Sequence, residues 1–85
     1  MNIKGNILLP IFNEEQSITE LIGEIEFSIK ELDIDFVITL VDDGSEDKSW
    51  EIIEKMESKY LSFRKIKLTR NFGHQAAIFA GLENF

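Results

Sequence analysis

The sequence predicts an α/β fold in which strands and helices alternate as β-α-β-α-β-α around a parallel sheet. Two observations predict it. Short blocks rich in Ile, Leu and Val alternate with longer stretches whose apolar residues recur at helical spacing, a pattern that implies parallel strands with right-handed crossovers and helices on the sheet faces. Each apolar block also ends abruptly in polar, turn-forming residues, at 10–15, 42–47 and 69–73.

The first strand is expected over 6–12, where Ile7, Leu8 and Leu9 form the continuous apolar run of a strand covered on both faces. Pro10 stands near its end, where a missing N–H is tolerable. A helix is expected over 17–32. Ser17 and Glu20 have capping-box spacing, and Ile18, Leu21, Ile22, Ile25, Ile29 and Leu32 make one apolar stripe. Residues 33–35 read as the turn out of it. The second strand, 36–41, is Phe-Val-Ile-Thr-Leu-Val, rich in β-branched residues. A second helix is expected over 47–59, with Trp50, Ile53, Met56 and Tyr60 near one face. The third strand is expected over 65–68, with Ile66 and Leu68 alternating against Lys65 and Lys67. Beyond Gly73, the Ala-rich run over 74–82 suits a third helix packed closely on the sheet.

Eighty-five residues allow one domain with a small core. A hydrophobic share of 44% with 29% charged residues is an ordinary globular mixture, not a disordered one. The net charge of −7 argues against DNA or RNA as a partner, because phosphate backbones demand Lys and Arg. The absence of cysteine excludes disulfides and thiolate metal sites. No apolar run approaches the ~18 residues that span a bilayer, and residues 1–5 lack the apolar core of a secretory signal, so a cytoplasmic location is expected.

Open parallel sheets bind ligands at the carboxyl ends of their strands, and the unusual polar residues of this chain fall in the three loops at those ends. In the first loop, the Phe12 ring beside Glu14 suits a nucleoside: the ring face stacks on a base and the carboxylate accepts ribose hydroxyl protons. Equally open is a core Phe12, with Glu14 and Glu15 favouring a helix N-terminus. In the second loop, Asp42 and Asp43 follow an apolar strand directly. Adjacent carboxylates repel, so such a pair is usually kept for a metal or for hydrogen-bond donors of a ligand. Alternation turns the two apart, leaving one for the ligand and the other to cap the turn. Gly44, Ser45 and Asp47 are explained by an Asp-Gly turn and a helix cap alone. In the third loop, Arg70 and Asn71 before a helix suit a phosphate, while a pairing of Arg70 with a nearby carboxylate stays open. His74 is the sole histidine and is not expected to bind metal. Dinucleotide-binding, P-loop and nucleophile-elbow signatures are absent.

Taken together, Leu9-Pro10-Ile11-Phe12-Asn13-Glu14-Glu15, Val41-Asp42-Asp43-Gly44-Ser45-Glu46-Asp47 and Thr69-Arg70-Asn71-Phe72-Gly73-His74-Gln75-Ala76-Ala77 resemble the opening of GT-A-fold, family 2 glycosyltransferases. The third string resembles the branch with dolichol-phosphate mannose synthases and bacterial polyprenyl-phosphate (bactoprenol) sugar transferases. The resemblance covers essentially the whole chain. It implies the nucleotide-sugar-binding half of a Rossmann-like GT-A fold, a UDP- or GDP-linked sugar donor, and Mg²⁺ or Mn²⁺. Pro10, Phe12 and Glu14 match positions lining the nucleoside pocket. Val41 and Asp43 match nucleoside contacts, Asp43 through the base. Arg70 matches a position near the phosphates, and Asp42 a structural one. The family often has Tyr at the Phe12 position and Lys at the His74 position.

The family's metal-binding Asp-x-Asp motif follows a fourth strand, whose place is beyond Phe85. The resemblance therefore implies an N-terminal piece whose metal ligands and acceptor half lie elsewhere. The parent would transfer a hexosyl group to an acceptor such as polyprenyl phosphate, at the cytoplasmic membrane face. The piece alone is expected to be inactive and, with strand edges left unpaired, to self-associate. A receiver-like phospho-signalling domain is the alternative, but its acidic pair would follow the first strand and Asp42-Asp43 follows the second. A non-catalytic interaction module is the other.

Overall fold

The structure, a computed structural model, describes residues 3–32, 34–71 and 73. The helix expected over 74–82 lies outside the described residues, as do Phe72 and His74. The described elements are strand β1 (Ile3–Ile11), helix α1 (Ile18–Ile29), strand β2 (Ile34–Asp42), helix α2 (Ser49–Glu54) and strand β3 (Leu61–Lys67). The three strands form one parallel sheet in the order β1-β2-β3, with Ile7 opposite Ile38 and Ile38 opposite Phe63. The α/β class and the strand-helix alternation are those read from the sequence.

Alternation along the strands sorts the sheet into two faces. One carries Ile7, Leu9 and Ile11 of β1, Phe36, Ile38 and Leu40 of β2, and Leu61 and Phe63 of β3. These side chains share a single core cluster with Ile18, Ile22 and Ile29 of α1 and Ile53 of α2. Both helices therefore cover the same face, as successive crossovers of one hand in one direction require. On the other face of β2, Thr39 and Val41 are also fully buried, so the central strand is closed to solvent on both sides.

Several boundaries differ from the sequence expectation for identifiable reasons. The expected capping box at Ser17 and Glu20 does not form. Ser17 is the N-cap of α1 but makes no side-chain cap hydrogen bond. Its hydroxyl instead turns back to donate a long 3.4 Å contact to the Glu14 carbonyl. That carbonyl already accepts the Ser17 and Ile18 amides at 3.0 and 3.1 Å, so a backbone turn leads into α1. At the far end α1 stops at Ile29, and Leu32 is 50% exposed rather than part of the buried stripe. The expected turn at 33–35 is shortened because Ile34 and Asp35 pair with Ile3 and Lys4 at the start of β2. The sequence has Asp-x-Asp spacing at 33–35, and its Ile34 and Asp35 sit at the start of β2, the opposite end of the sheet from the loops.

Helix α2 has six residues where a longer helix was expected. The Lys65 ammonium donates to the carbonyls of Glu54 and Met56 at 2.9 and 3.0 Å and closes the helix there. Lys65 thus belongs to the helix-covered face, and its alternation with Ile66 does not separate a solvent face from a core face. Tyr60, expected near the apolar face of this helix, lies beyond it and is 49% exposed. Strand β3 begins four residues before its expected start because Leu61 and Phe63 pair opposite Phe36 and Ile38.

Gly23 offers a test of the α1 assignment. It is exposed in mid-helix, and a Cβ placed there meets nothing within 4 Å. Gly23→Ala is therefore expected to stabilise the chain by about 0.5–1 kcal/mol, because it removes backbone freedom from the unfolded state. A thermal melt should show the midpoint rising by roughly 2–8 °C.

Candidate functional site

The sheet register brings the three strand-end loops together. Ile11 pairs with Asp42 and Asp42 with Lys67. The Asp43 amide donates to the Ile11 carbonyl at 2.8 Å and the Leu68 amide to the Asp42 carbonyl at 2.9 Å, extending the ladder into the loops. All three chains thus leave the sheet at the same level.

The first and second loops are then stitched together by side chains. Asn13 has a positive φ of 51°, a conformation that Asn tolerates better than most residues. In this pose its amide donates to the Ser45 hydroxyl at 2.9 Å. Its side-chain oxygen accepts the amides of Glu46 and Asp47 at 2.8 and 3.4 Å. One residue further on, the Glu14 amide donates to the Ser49 hydroxyl at 2.8 Å, and the Glu15 amide to Asp47 Oδ2 at 3.2 Å. Asp47 Oδ1 accepts the Ser49 amide at 2.9 Å, a local Asx-type bond at the start of α2. Burial by itself raises the Asp47 carboxyl pKa, but the hydrogen bonds from the Ser49 hydroxyl and amide and the Glu15 amide outweigh it. The net shift is below the ordinary value of 3.8. Asp47 is therefore an anion, and a strong acceptor, at neutral pH.

The second and third loops meet through backbone contact. Gly44 has φ +70°, and a Cβ built there would lie 2.2 Å from the Arg70 carbonyl carbon and 2.4 Å from the Asn71 nitrogen. Only a residue without a side chain fits this approach. Arg70 is thereby set beside the second loop, its backbone against Gly44, the residue that follows Asp43, and its side chain is exposed.

The remaining predicted site residues lie as follows. Val41 is fully buried on the β2 face away from the helices, Asp43 is fully buried just past the end of β2, and Pro10, opposite Val41, is half-buried. Phe12 and Glu14 are half-buried. Asp42 turns to the other face, also fully buried, where its Oδ2 accepts the Ser45 amide at 3.2 Å and caps the turn. Its Oδ1 has no hydrogen-bond partner among the described residues. The capping of the turn by Asp42 is the role the sequence left to one member of the aspartate pair. A cavity of about 430 Å³ opens beside the first loop, lined by residues 13–17 and Asp47. Glu14 is the one predicted site residue that lines it. A larger hollow of about 500 Å³, lined by Asp35–Val37 and Ser58–Ser62, lies at the strand N-termini. Ligands of open parallel sheets bind at the other end, so the smaller cavity is the more relevant one.

Sequence reasoning understated Asn13, Ser45, Asp47 and Ser49. It explained Ser45 and Asp47 as local turn and cap residues, whereas each also binds the first loop, more than thirty residues away. The available signal was chemical: Asn, Ser and Asp are the side chains that bind backbone amides, and Asn13, Ser45 and Asp47 fall within these two loops with Ser49 just beyond, in the first turn of α2. Among the described residues no group of three or more His, Cys, Asp or Glu side chains is placed to hold a metal ion. Among them too, no helix is long and apolar enough to cross a membrane.

Comparison with known proteins adds an independent line. The sequence model described as glycosyl transferase family 2 matches residues 6–85. The chain is also similar to curated proteins named undecaprenyl-phosphate 4-deoxy-4-formamido-L-arabinose transferase. It is 44% identical over 79 residues to those of Pseudomonas savastanoi pv. phaseolicola and Pseudomonas fluorescens Pf0-1, and 40% identical over 79 residues to that of Pseudomonas aeruginosa PAO1. Each match takes in 92% of this chain and 23% of the relative, so the chain spans about a quarter of the length of these relatives. Their polyprenyl-phosphate name agrees with the branch that the third loop resembles. With a family match across nearly its whole length and relatives over 30% identical, this chain belongs to glycosyl transferase family 2.

Proposed function

We propose that the protein to which these residues belong transfers a glycosyl group from a nucleotide sugar to a polyprenyl-phosphate acceptor. These residues would supply the nucleoside-binding half of its site. The observation that carries the reading is the convergence of three strand-end loops, bonded to one another, in a family 2 chain whose relatives are named as undecaprenyl-phosphate sugar transferases. The transferred group is put no finer than glycosyl. The hexosyl expectation has no support in those names, which give an arabinose derivative, a five-carbon sugar.

In this reading the Phe12 ring stacks on the base of a UDP- or GDP-linked donor and Glu14 accepts the ribose hydroxyls. Asp43 accepts a hydrogen bond from the base, with Pro10 and Val41 walling the pocket. Arg70 faces the diphosphate, where a guanidinium makes charge-assisted hydrogen bonds. Binding donor groups through fixed loops lowers the ordering cost of association. Mg²⁺ or Mn²⁺, held by residues outside this set, would neutralise the leaving diphosphate. These 85 residues would then bind nucleotide without turning it over.

Calorimetric titration with UDP and with GDP, each with Mg²⁺ or Mn²⁺, tests the reading. One nucleotide is expected to bind, and Asp43→Ala is expected to weaken it by about 10- to 100-fold, the worth of a hydrogen bond to a charged group. A folded chain that binds neither nucleotide, or an Asp43→Ala chain that binds as well as the parent, would overturn it.

A further inference from the structure

The hydrogen bonds between the first two loops form a closed circuit. Asn13 gives its amide to Ser45 and receives Glu46 and Asp47 on its side-chain oxygen. Asp47 in turn receives Glu15 and Ser49 on its two carboxylate oxygens, and Ser49 receives Glu14 on its hydroxyl. Every backbone amide from Asn13 to Glu15 therefore ends on a side chain of the second loop or the first turn of α2. None of these bonds runs through the sheet.

The circuit flanks both groups assigned to ligand recognition. Glu14 lies between Asn13 and Glu15, whose amides are held by Ser45 and Asp47. Asp43 precedes the turn that Asp42 caps through the Ser45 amide. A shift of the first loop relative to the second would break several bonds at once, because Asn13, Asp47 and Ser49 each hold two or more others. Asn13 makes these bonds with a positive φ of 51°, a backbone pose that few residues other than Gly, Asn and Asp tolerate.

We propose that Asn13 and Asp47 are positioning residues that lock the first two loops into one unit, so that Glu14 and Asp43 are presented to a nucleotide together. The nucleotide part of this inference rests on the function proposed above; the mechanical part does not. Asn13 and Asp47 need not touch the ligand. Their role is to fix the separation and angle between two groups that do, as preorganised binding sites require.

The test uses amide hydrogen exchange by NMR on the full 85-residue chain, together with titration of UDP and GDP. Asn13→Gly keeps the positive φ accessible and removes the acceptor. Exchange is expected to quicken tenfold or more at Glu46 and Asp47, which lose that acceptor. It should quicken comparably at Glu14 and Glu15, whose own acceptors are untouched. Asn13→Asp, which keeps an acceptor oxygen and tolerates the same φ, is expected to restore protection at all four. The affinity for whichever nucleotide the parent chain binds should fall tenfold or more in Asn13→Gly and recover in Asn13→Asp. Should Asn13→Gly fail to fold, Asp47→Asn enters the circuit from the other loop, with faster exchange expected at Glu15 and also at Glu46. Faster exchange confined to the residues that lost a partner would overturn the locking. Parent-like nucleotide affinity with both loops loosened would overturn the positioning role. If the parent chain binds neither nucleotide, the proposed function falls, and the exchange pattern still decides whether the loops are locked.

Discussion

Gly44→Ala is expected to be among the most damaging single substitutions in this chain, costing about 2–5 kcal/mol. Two effects add. The backbone at Gly44 has φ +70°, and a residue with a Cβ held in such a region costs on the order of 1–2 kcal/mol. The new methyl would also lie 2.2 Å from the Arg70 carbonyl carbon and 2.7 Å from its Cα. These are backbone atoms, which cannot swing away as a side-chain end can. Relief requires the third loop to move off the second, with an overpacking cost of about 1–3 kcal/mol. Urea unfolding should show a lower midpoint at unchanged slope, and a thermal melt a fall of roughly 10–20 °C. Gly23→Ala is the internal control, being the same chemical change with the opposite expected sign. A fall of only a few degrees at Gly44 would mean that the third loop does not press on the second.

The second large effect is expected at Ile53. Helix α2 has six residues, too few to persist through its own hydrogen bonds. It is held by what it buries. Ile53 is fully buried in the shared core, whereas its neighbour Ile52 is half-buried. Ile53→Ala is expected to cost about 2–5 kcal/mol through lost burial and the cavity left behind; Ile52→Ala should cost less. The consequence reaches the loops, because α2 begins with Ser49, the acceptor for the Glu14 amide. Loosened packing at Ile53 should therefore quicken exchange at Glu14 before global unfolding. Equal effects at Ile52 and Ile53 would show that α2 is not anchored through Ile53.

The first helix starts without its capping box because the chain enters it through a backbone turn. The Ser17 amide, which the box would give to the Glu20 side chain, donates to the Glu14 carbonyl, and the Ser17 hydroxyl turns back to the same carbonyl. Ser-x-x-Glu spacing is a local signal, and here the turn before the helix displaces it. The early end of α2 has a cause from across the fold. A lysine eleven residues beyond Glu54 in the next strand takes its carbonyl, a contact that helical periodicity cannot anticipate.

By itself the sequence determined the α/β class, the order of the elements and the parallel sheet. Apolar periodicity and the punctuation of strands by polar turns are local properties that burial on a sheet converts directly into architecture. The sequence also determined the family, because three strings of chemically unusual residues recur in the right order, and it left one aspartate of the Asp42-Asp43 pair to cap the turn, as Asp42 does. Only the tertiary structure decided where β3 begins and α2 ends, since the β2 partner of Leu61 and the strand residue Lys65 that closes α2 are distant in the chain. It alone assigned Asn13 and Asp47 to one circuit and pressed Gly44 against the Arg70 backbone. Hydrogen bonds and close approaches of this kind depend on the spatial register of three strands, which no single stretch of the chain contains.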